Sequence, residues 1–248
     1  MRYGELTYEE IRERAGSGCM ALLPTGCTEQ QGPHLPVDFD TWFVEQLCLA
    51  GSEKADHDYG VHSLVLPPIP FGPTPEHRNF GSGYIDIPKE LHESLVSHVL
   101  KSLADQGFKS IVVWRGCGGH DLKAAIRGFN VAQNGKAKAY LPNLSLYHEI
   151  WAQHADGAVP GGHADSFSTS VAMYLRPESV SHQKINNPHS AEPDWADPNL
   201  DFHLYSKTGV IGDPTKADRK LGERLWNAVV ERVALYVAEV SKGQAPSD

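Results

Sequence analysis

The sequence lacks several features that would place it at once in a broad class of proteins. It has no run of basic residues, and 22 lysines and arginines face 31 aspartates and glutamates, giving a formal net charge of -9. A nucleic-acid-binding protein needs a cationic surface for the phosphates, so nucleic acid is not an expected partner. No apolar stretch approaches the roughly 20 residues that span a bilayer. The N-terminal residues MRYGELTYEE are charged and lack the apolar core of a signal peptide. We therefore expect a cytoplasmic protein without a membrane partner.

Cysteines are also few, and catalytic signature motifs are absent. The four cysteines, Cys19, Cys27, Cys48 and Cys117, form no CxxC pair, and a chain of this length does not need a disulfide framework. We expect reduced thiols. The sequence has no GxSxG nucleophile elbow, no GxGxxG fingerprint and no Walker motif, which argues against a serine hydrolase and against a nucleotide cofactor.

What the sequence does contain is an alternation of short apolar segments with amphipathic ones. CMALLPTG (19–26) and KSIVVW (109–114) predict buried strands, and TYEEIRERA (7–15) predicts a helix capped by Thr7. Residues 88–108 predict a helix whose buried face carries leucines or valines at 91, 95, 99 and 103. This alternation indicates an α/β protein with a largely parallel sheet and helices on both faces. With no repeat and no linker, we expect one domain over residues 1–248.

In such a sheet the ligand-binding loops follow the carboxyl ends of the strands. The loops at 25–40, 70–84, 115–121 and 160–166 are therefore expected to converge on one crevice. The segment 61–87 begins as a strand and continues as a Pro/Gly-rich loop that we expect to be non-helical. It carries His77 and Arg78, which are candidates for contact with a substrate.

The first candidate site pairs Glu29 with Asp40 in TGCTEQQGPHLPVDFDTW. Two carboxylates in a desolvated crevice repel each other unless a proton or a cation compensates. A divalent metal is the usual solution when histidines are nearby. The alternative is that Asp40, or Thr41, caps the following helix and that Glu29 is exposed.

Two further segments carry candidate ligands or catalytic groups. RGCGGHD (115–121) sets Cys117 and His120, both zinc-ligand types, among glycines that permit a close approach; the alternative is a tight turn with a buried thiol and a surface imidazole. PGGHADSFST places His163 and Asp165 ahead of a predicted helix. These two can act as an oriented general base, or Asp165 can be only a helix cap.

These segments resemble the motifs of the creatininase family, in the order in which they occur there. LLPTGCTEQQGPHLPVDFD is similar to G-S-x-E-Q-H-G-P-H-L-P-x-x-T-D, and PPIPFGPTPEHRNFGSG is similar to P-x-P-x-G-x-S-x-E-H-x-x-F-P-G-T. WRGCGGHD stands where the family has N-G-H-G-G-N or N-G-H-x-E-N. GGHADSFSTS resembles H-A-G-x-x-E-T-S, and TGVIGDPTKA resembles a late G-V-x-G-D-P-x-x-A turn.

The resemblance implies a three-layer α/β/α sandwich with a mostly parallel central sheet, often assembled as a homohexamer. It also implies a centre of one or two zinc or manganese ions that hydrolyses C–N bonds in small cyclic or formylated amides. By position, Glu29 and Asp40 match family ligands, Asp40 matching the carboxylate that bridges two metals. His163 matches a catalytic or substrate-contacting histidine.

The chain departs from the family pattern at four motif positions. Gln31 replaces the histidine of E-Q-H, and Cys117 replaces the histidine of N-G-H. Gly119 stands where some members have a glutamate, and Ser168 replaces the glutamate of E-T-S. The metal centre has therefore been rebuilt or reduced.

A rebuilt centre with a single metal is the expectation that we carry forward. Glu29, Asp40 and His120 would form a two-carboxylate, one-histidine ligand set with open positions for water. Cys117 is a possible fourth ligand that would favour zinc, and Gln31 could coordinate weakly or hold a water.

Two functions follow from this expectation. The first is a metal-dependent hydrolase of a small cyclic amide, or of a sugar- or polyol-derived ketone or lactone. In it His163, oriented by Asp165, shuttles the proton, while Arg78, Cys117 and Gln31 contact the substrate. The second is a non-catalytic descendant of the fold that binds a metabolite or a partner protein without turnover.

Overall fold

The computed structural model describes residues 1–154 and 162–245, and within them a parallel sheet forms the centre of the fold. The strands are β1 (Met20–Thr25), β2 (Ser63–Val65), β3 (Ser110–Arg115) and β4 (Lys138–Tyr140), in the spatial order β2–β1–β3–β4. All three pairings are parallel. Every residue of β1 is buried, as a strand covered on both faces requires. The predicted parallel sheet is confirmed.

Helices cover both faces of this sheet, which makes the fold the expected three-layer α/β/α sandwich. Alternate residues of each strand point to opposite faces: Leu22 and Val112 join one buried core, and Leu23 and Val113 join the other. The first core is closed by α2 (Phe39–Tyr59), α5 (Ser145–His154), α6 (Ser166–Leu175) and α8 (Arg219–Ser241), and the second by α1 (Tyr8–Gly16), α3 (Lys89–Asp105) and α4 (Lys123–Gln133). A single-turn helix, α7 (Phe202–Tyr205), contributes Phe202 to the wall of the cavity described below.

Local signals define two helix boundaries, and the predicted cap at Thr7 is confirmed. Thr7 forms a capping box with Glu10 at the start of α1. Asn134, in the left-handed conformation with φ of 47°, ends α4. None of the described helices has the length and apolar composition needed to cross a membrane.

Three local predictions are wrong. The buried face of α3 carries His92, Val96, Leu100 and Leu103. Leu103 is buried as predicted, whereas Leu91 and Leu95 are exposed, because the helix is rotated by about one residue from the face that the leucine spacing suggested. The 61–87 segment is not free of helix, since Pro75–Phe80 forms a 3-10 turn that begins with proline. The helix α2 starts two residues earlier than a cap at Asp40 would require, with Asp38 at its N-cap, so neither Asp40 nor Thr41 caps it.

The carboxyl ends of β1 and β3 lie side by side and place two of the predicted loops together. Thr25 pairs with Arg115 in the sheet register, and the Gly116 N–H donates to the Thr25 carbonyl over 2.8 Å. A Cβ on Gly116 would lie 2.6 Å from the carbonyl oxygen of Asp40. Glycine is therefore required where the loop after β3 crosses the first turn of α2.

Candidate metal centre

The loops after β1 and β3, together with the first turn of α2, bring four buried acidic side chains together. The ligand atoms of Cys27, Glu29, Asp40 and Cys117 all lie within 4.8 Å of one another. The Cys27 thiol donates to Oδ2 of Asp40 over 3.1 Å, and the Cys117 thiol lies 3.9 Å from Oε2 of Glu29. Glu29 and Asp40, both predicted metal ligands, are thus neighbours in a buried cluster. Neither alternative considered for them, a helix cap for Asp40 and an exposed Glu29, is what the structure shows.

The two carboxyl groups of this cluster resist ionisation together. Burial raises the pKa of Glu29 to about 7. Burial, followed by the charge of Glu29, raises the pKa of Asp40 well above its usual value. Ligand oxygens of the two groups lie within 4.8 Å of each other, so two negative charges there repel unless a proton or a cation compensates. A cation between them would replace that proton, so the pair is the kind of site that a divalent metal neutralises.

The thiols of the cluster are protonated at neutral pH when no cation is present. Burial raises the pKa of Cys27 well above its usual value. The hydrogen bond with Cys27 lowers the pKa of Cys117, but burial and the nearby carboxylates together raise it to about 12. Neither thiol therefore has the lowered pKa of a catalytic cysteine.

Gln31 packs directly against both carboxyl groups. Its Nε2 donates to Oδ2 of Asp40 over 3.0 Å and lies 3.5 Å from Oε1 of Glu29. Its Oε1 is buried and has no hydrogen-bond partner among the described residues. Gln31 thus contributes one oxygen, still unpaired, to the same cluster.

Two imidazoles flank Glu29 on its other side. Nε2 of His77 lies 3.4 Å from Oε2 of Glu29, and Nδ1 of His163 lies 3.5 Å from Oε1. Burial lowers the pKa of both histidines, so both are neutral at pH 7. These three side chains also have ligand atoms within 4.8 Å of one another.

Gln30 fixes the tautomers of these two histidines. Its Oε1 accepts from the Gly32 N–H over 2.9 Å, which orients the amide so that Nε2 faces Nδ1 of His77 at 3.0 Å. His77 therefore carries its proton on Nε2. The carbonyl oxygen of Gln30 lies 2.5 Å from Nε2 of His163, so that nitrogen is protonated and Nδ1 presents a lone pair towards Glu29.

His120 is buried behind the thiols and not beside the carboxylates. A ring nitrogen of His120 and the sulfurs of Cys27 and Cys117 all lie within 4.8 Å of one another. The centroid of the His120 ring lies 4.7 Å from that of the His92 ring. It does not share a cluster of that size with Glu29 or Asp40 among the described residues. Neither ring nitrogen makes a hydrogen bond of normal geometry there, although one lies close to the backbone of Pro73. The surface imidazole considered as an alternative is not what the structure shows.

The cluster forms part of the wall of a cavity of about 570 Å³. Glu29, Gln31, Cys117 and His163 line it, and the remaining wall is largely aromatic, with Phe39, Phe43, Tyr147, Trp151, Phe167 and Phe202. None of the described residues that line the cavity is a lysine or an arginine. Residues 160 and 161 of the predicted 160–166 loop lie outside the described residues.

Two predicted site residues have other partners in the structure. Arg78 is largely exposed, pairs with Asp86 through its Nε at 2.7 Å, and is not among the residues that line the cavity. Asp165 lines the cavity but caps α6, accepting from the N–H groups of Phe167 and Ser168 over 2.9 and 3.3 Å. His163 is held by the carbonyl of Gln30, so the cap considered as an alternative describes the observed contacts of Asp165.

Sequence reasoning did not single out Cys27 or Gln30, and it assigned His77 only to substrate contact. A signal for Cys27 is present in the sequence, because Cys27, Glu29 and Gln31 occupy alternate positions. Alternate residues of an extended segment point to the same side. Gln30 has no such signal, since its role depends on two histidines that are distant in the chain.

Comparison with known proteins finds related sequences over nearly the whole chain. The creatininase family profile, described as creatinine amidohydrolase, matches residues 4–237. The chain is 29% identical to a mycofactocin precursor peptide peptidase of Mycobacterium ulcerans, over 97% of this chain and 93% of that protein. It is 26% identical to a 3-dehydro-scyllo-inosose hydrolase of Thermotoga maritima, over 72% of this chain and 57% of that protein.

Solved structures of creatininase share the fold. A manganese form is 21% identical and covers 98% of each chain with a TM-score of 0.80. A variant of Zn–Zn type is also 21% identical, covers 98% of each chain and has a TM-score of 0.79. The family profile extends over nearly the whole sequence and its named members are hydrolases. The chain belongs to the creatininase family of amidohydrolase-type enzymes.

Proposed function

We propose that this protein is a hydrolase that depends on one divalent metal ion, zinc or manganese, bound at Glu29 and Asp40. The observation that supports this most strongly is the pair of buried carboxyl groups, Glu29 and Asp40, whose oxygens lie within 4.8 Å of each other on the wall of the cavity. The manganese and Zn–Zn forms of the related creatininase support the choice of metals.

The side chains that are present fit such an ion. Carboxylate oxygens, thiol sulfurs and the unpaired Oε1 of Gln31 belong to neighbouring buried side chains on the wall of the cavity. Burial without a compensating charge is unfavourable for Glu29 and Asp40, and a cation relieves it. When bound, a zinc ion of this kind lowers the pKa of a coordinated water to about 7 and polarises a carbonyl oxygen.

The histidines would move the proton in the reaction. Nδ1 of His163 presents a lone pair beside Glu29 and accepts a proton from the attacking water. The same nitrogen then returns the proton to the atom that leaves the carbonyl carbon, which is nitrogen in an amide, oxygen in a lactone and the adjacent ring carbon in a cyclic ketone. The Nε2–H of His77 faces Oε2 of Glu29 at 3.4 Å without a hydrogen bond of normal geometry, and it would orient that carboxylate by closing this distance. Asp165 acts through the backbone, because it caps the helix that directly follows His163.

The cavity suits a small substrate without negative charge. Its volume and aromatic wall accommodate a planar or ring-shaped group. Acidic residues without a basic partner on the described wall would repel an anion. A cyclic amide, or a polyol-derived cyclic ketone or lactone, meets these requirements, and Gln31 and Cys117 would contact it. Arg78 would not contact a substrate inside the cavity.

Turnover by metal-depleted and reconstituted protein tests this proposal. The panel contains neutral cyclic amides, lactones, cyclic polyol ketones and a short peptide, since one relative is named as a peptidase. We expect hydrolysis of at least one class, dependent on added zinc or manganese and lost in Glu29→Gln. No turnover across the panel by protein with bound metal would contradict it.

A non-catalytic binding protein is the second candidate, favoured by the replacement of ligands at Gln31, Cys117 and Gly119. It predicts saturable binding of a small molecule in the cavity without any product. A homo-oligomeric state and a cytoplasmic location remain predictions for either function.

A further inference from the structure

We propose that Cys27 and Cys117 are themselves metal ligands, so that the centre is a thiolate–carboxylate site that binds zinc in preference to manganese. This inference rests on the proposed function, because it concerns the ion at the same site. The creatininase pattern supplies a histidine at the position of Cys117 and no ligand at that of Cys27. The thiols therefore make this centre different from the one that the family resemblance implies.

The sulfurs occupy the central position among the candidate ligands. Cys27 and Cys117 belong to a cluster with Glu29 and Asp40 and also to a second cluster with His120. They are the two residues common to both groups. An ion beside the sulfurs is therefore within reach of carboxylate oxygens on one side and of an imidazole on the other.

Unpaired polar atoms point to the same place. Oε1 of Gln31 is buried next to Asp40 without a hydrogen-bond partner among the described residues. The ring nitrogens of His120, which is 1% exposed, also lack a hydrogen bond of normal geometry there. Buried polar groups are rarely left unpaired in folded proteins. An ion at the sulfurs would give His120 a partner.

Both thiols are held rigidly before any metal arrives. A Cβ on Gly26 would lie 2.5 Å from Cα of Thr41, and the Thr41 hydroxyl donates to the Cys27 carbonyl over 2.8 Å. These contacts fix Cys27 against the first turn of α2 and next to Asp40. Gly116 fixes the start of the loop that carries Cys117 in the same way. Ligands that are positioned in advance lose little entropy on binding.

Thiolate ligands determine which ion is bound. Soft sulfur ligands favour zinc, whereas manganese favours carboxylate, carbonyl and water oxygens. Each thiol that binds the ion loses its proton to solvent. Asp40, whose Oδ2 is 3.1 Å from the Cys27 sulfur, is the nearest oxygen ligand.

X-ray absorption at the zinc edge tests the ligand set on the intact full-length protein. The protein is stripped with chelator and reloaded with one equivalent of zinc. We expect a sulfur shell of about two atoms at ~2.3 Å together with a nitrogen or oxygen shell at ~2.0–2.2 Å. A nitrogen and oxygen shell alone would overturn the thiolate ligands and leave the metal-dependent hydrolase intact. Folded protein that takes up no metal would overturn both proposals.

Cobalt binding to matched variants supplies a second readout that does not depend on activity. Cobalt at thiolates gives an intense sulfur-to-metal charge-transfer band in the near ultraviolet. We expect this band to weaken in Cys27→Ser and in Cys117→Ser and to remain in Cys19→Ser, because Cys19 lies next to the opposite end of β1. Zinc affinity should fall at least about tenfold in the two site variants, with a smaller fall for manganese. Equal losses for both metals would contradict selectivity by sulfur.

Discussion

Oδ2 of Asp40 accepts a hydrogen bond from the Gln31 amide over 3.0 Å, at the position where the creatininase motif has a histidine. An amide in this place satisfies the carboxylate but supplies only a weak ligand oxygen. Under the proposed function, this relationship would reduce the two-ion centre of the Zn–Zn creatininase to a site for one ion.

Replacing Gln31 with histidine should therefore strengthen metal binding. The imidazole would stand beside Asp40 and Glu29 as an additional nitrogen ligand, so we expect zinc affinity in Gln31→His to rise by about tenfold or more. Isothermal titration calorimetry with zinc measures the change. Gln106→His, which adds an imidazole to the exposed end of α3, is the control. An affinity in Gln31→His no higher than in this control would contradict the assignment.

The close approach of Gly116 to Asp40 predicts a specific effect on stability. A Cβ at position 116 would lie 2.6 Å from a backbone oxygen, whereas a Cβ at Gly118 meets nothing within 4 Å. Gly116→Ala should lower the free energy of unfolding by about 1–3 kcal/mol, and Gly118→Ala should change it by less than about 0.5 kcal/mol. Urea denaturation of both variants measures this difference, and equal stability would show that the loop does not need glycine at 116.

Gln30 should control the tautomer of His77. Its amide donates to Nδ1 of His77 at 3.0 Å, and a glutamate in its place would accept there instead. In Gln30→Glu we expect the His77 proton to move from Nε2 to Nδ1 and hydrolysis to fall. Nitrogen NMR of ¹⁵N-histidine-labelled protein distinguishes the two tautomers. A His77 spectrum that stays unchanged in the folded variant would refute the role assigned to Gln30.

The pKa of Asp165 predicts that the free energy of unfolding depends on pH. Measuring this dependence distinguishes a helix-capping role of Asp165 from a catalytic one. Burial raises its pKa from 3.8 to about 6, so the folded state favours the protonated form. The contribution of protonated Asp165 to the free energy of unfolding is fully present below pH 3.8. It is lost as the pH rises to about 6, a change of about 3 kcal/mol.

The variant Asp165→Asn keeps an oxygen for the cap and cannot ionise. It should match the wild type in stability near pH 3.5 and exceed it by about 1–3 kcal/mol at pH 8. Denaturant unfolding at the two pH values measures the difference, and hydrolysis should be largely retained. A variant with unchanged stability and no activity would instead indicate a direct catalytic role.

The sequence was sufficient for the layers of the fold and for the convergence of the loops. Strand periodicity and local caps such as Thr7 determine these features. It was not sufficient for the rotation of α3, because Leu91 and Leu95 are apolar residues that the tertiary packing leaves exposed.

Within the site, Glu29, Asp40, Cys117 and His163 could be proposed from motif positions alone. The placement of His120 could not, since a residue in a glycine-rich loop has no periodicity that indicates its direction. The structure turns it towards His92 and the thiols. Gln30 acts through contacts made across the fold, which local sequence does not encode.

The metal content of protein purified without chelator tests the central claim most directly. Mass spectrometry of the wild type should find about one zinc or manganese ion per chain, as the donor set predicts. Asp38→Asn, which removes a half-exposed carboxylate two residues away, should keep that content, and Asp40→Asn should lose most of it. Folded wild-type protein with no metal above the buffer level, or an Asp40→Asn variant that retains the full content, would contradict the account.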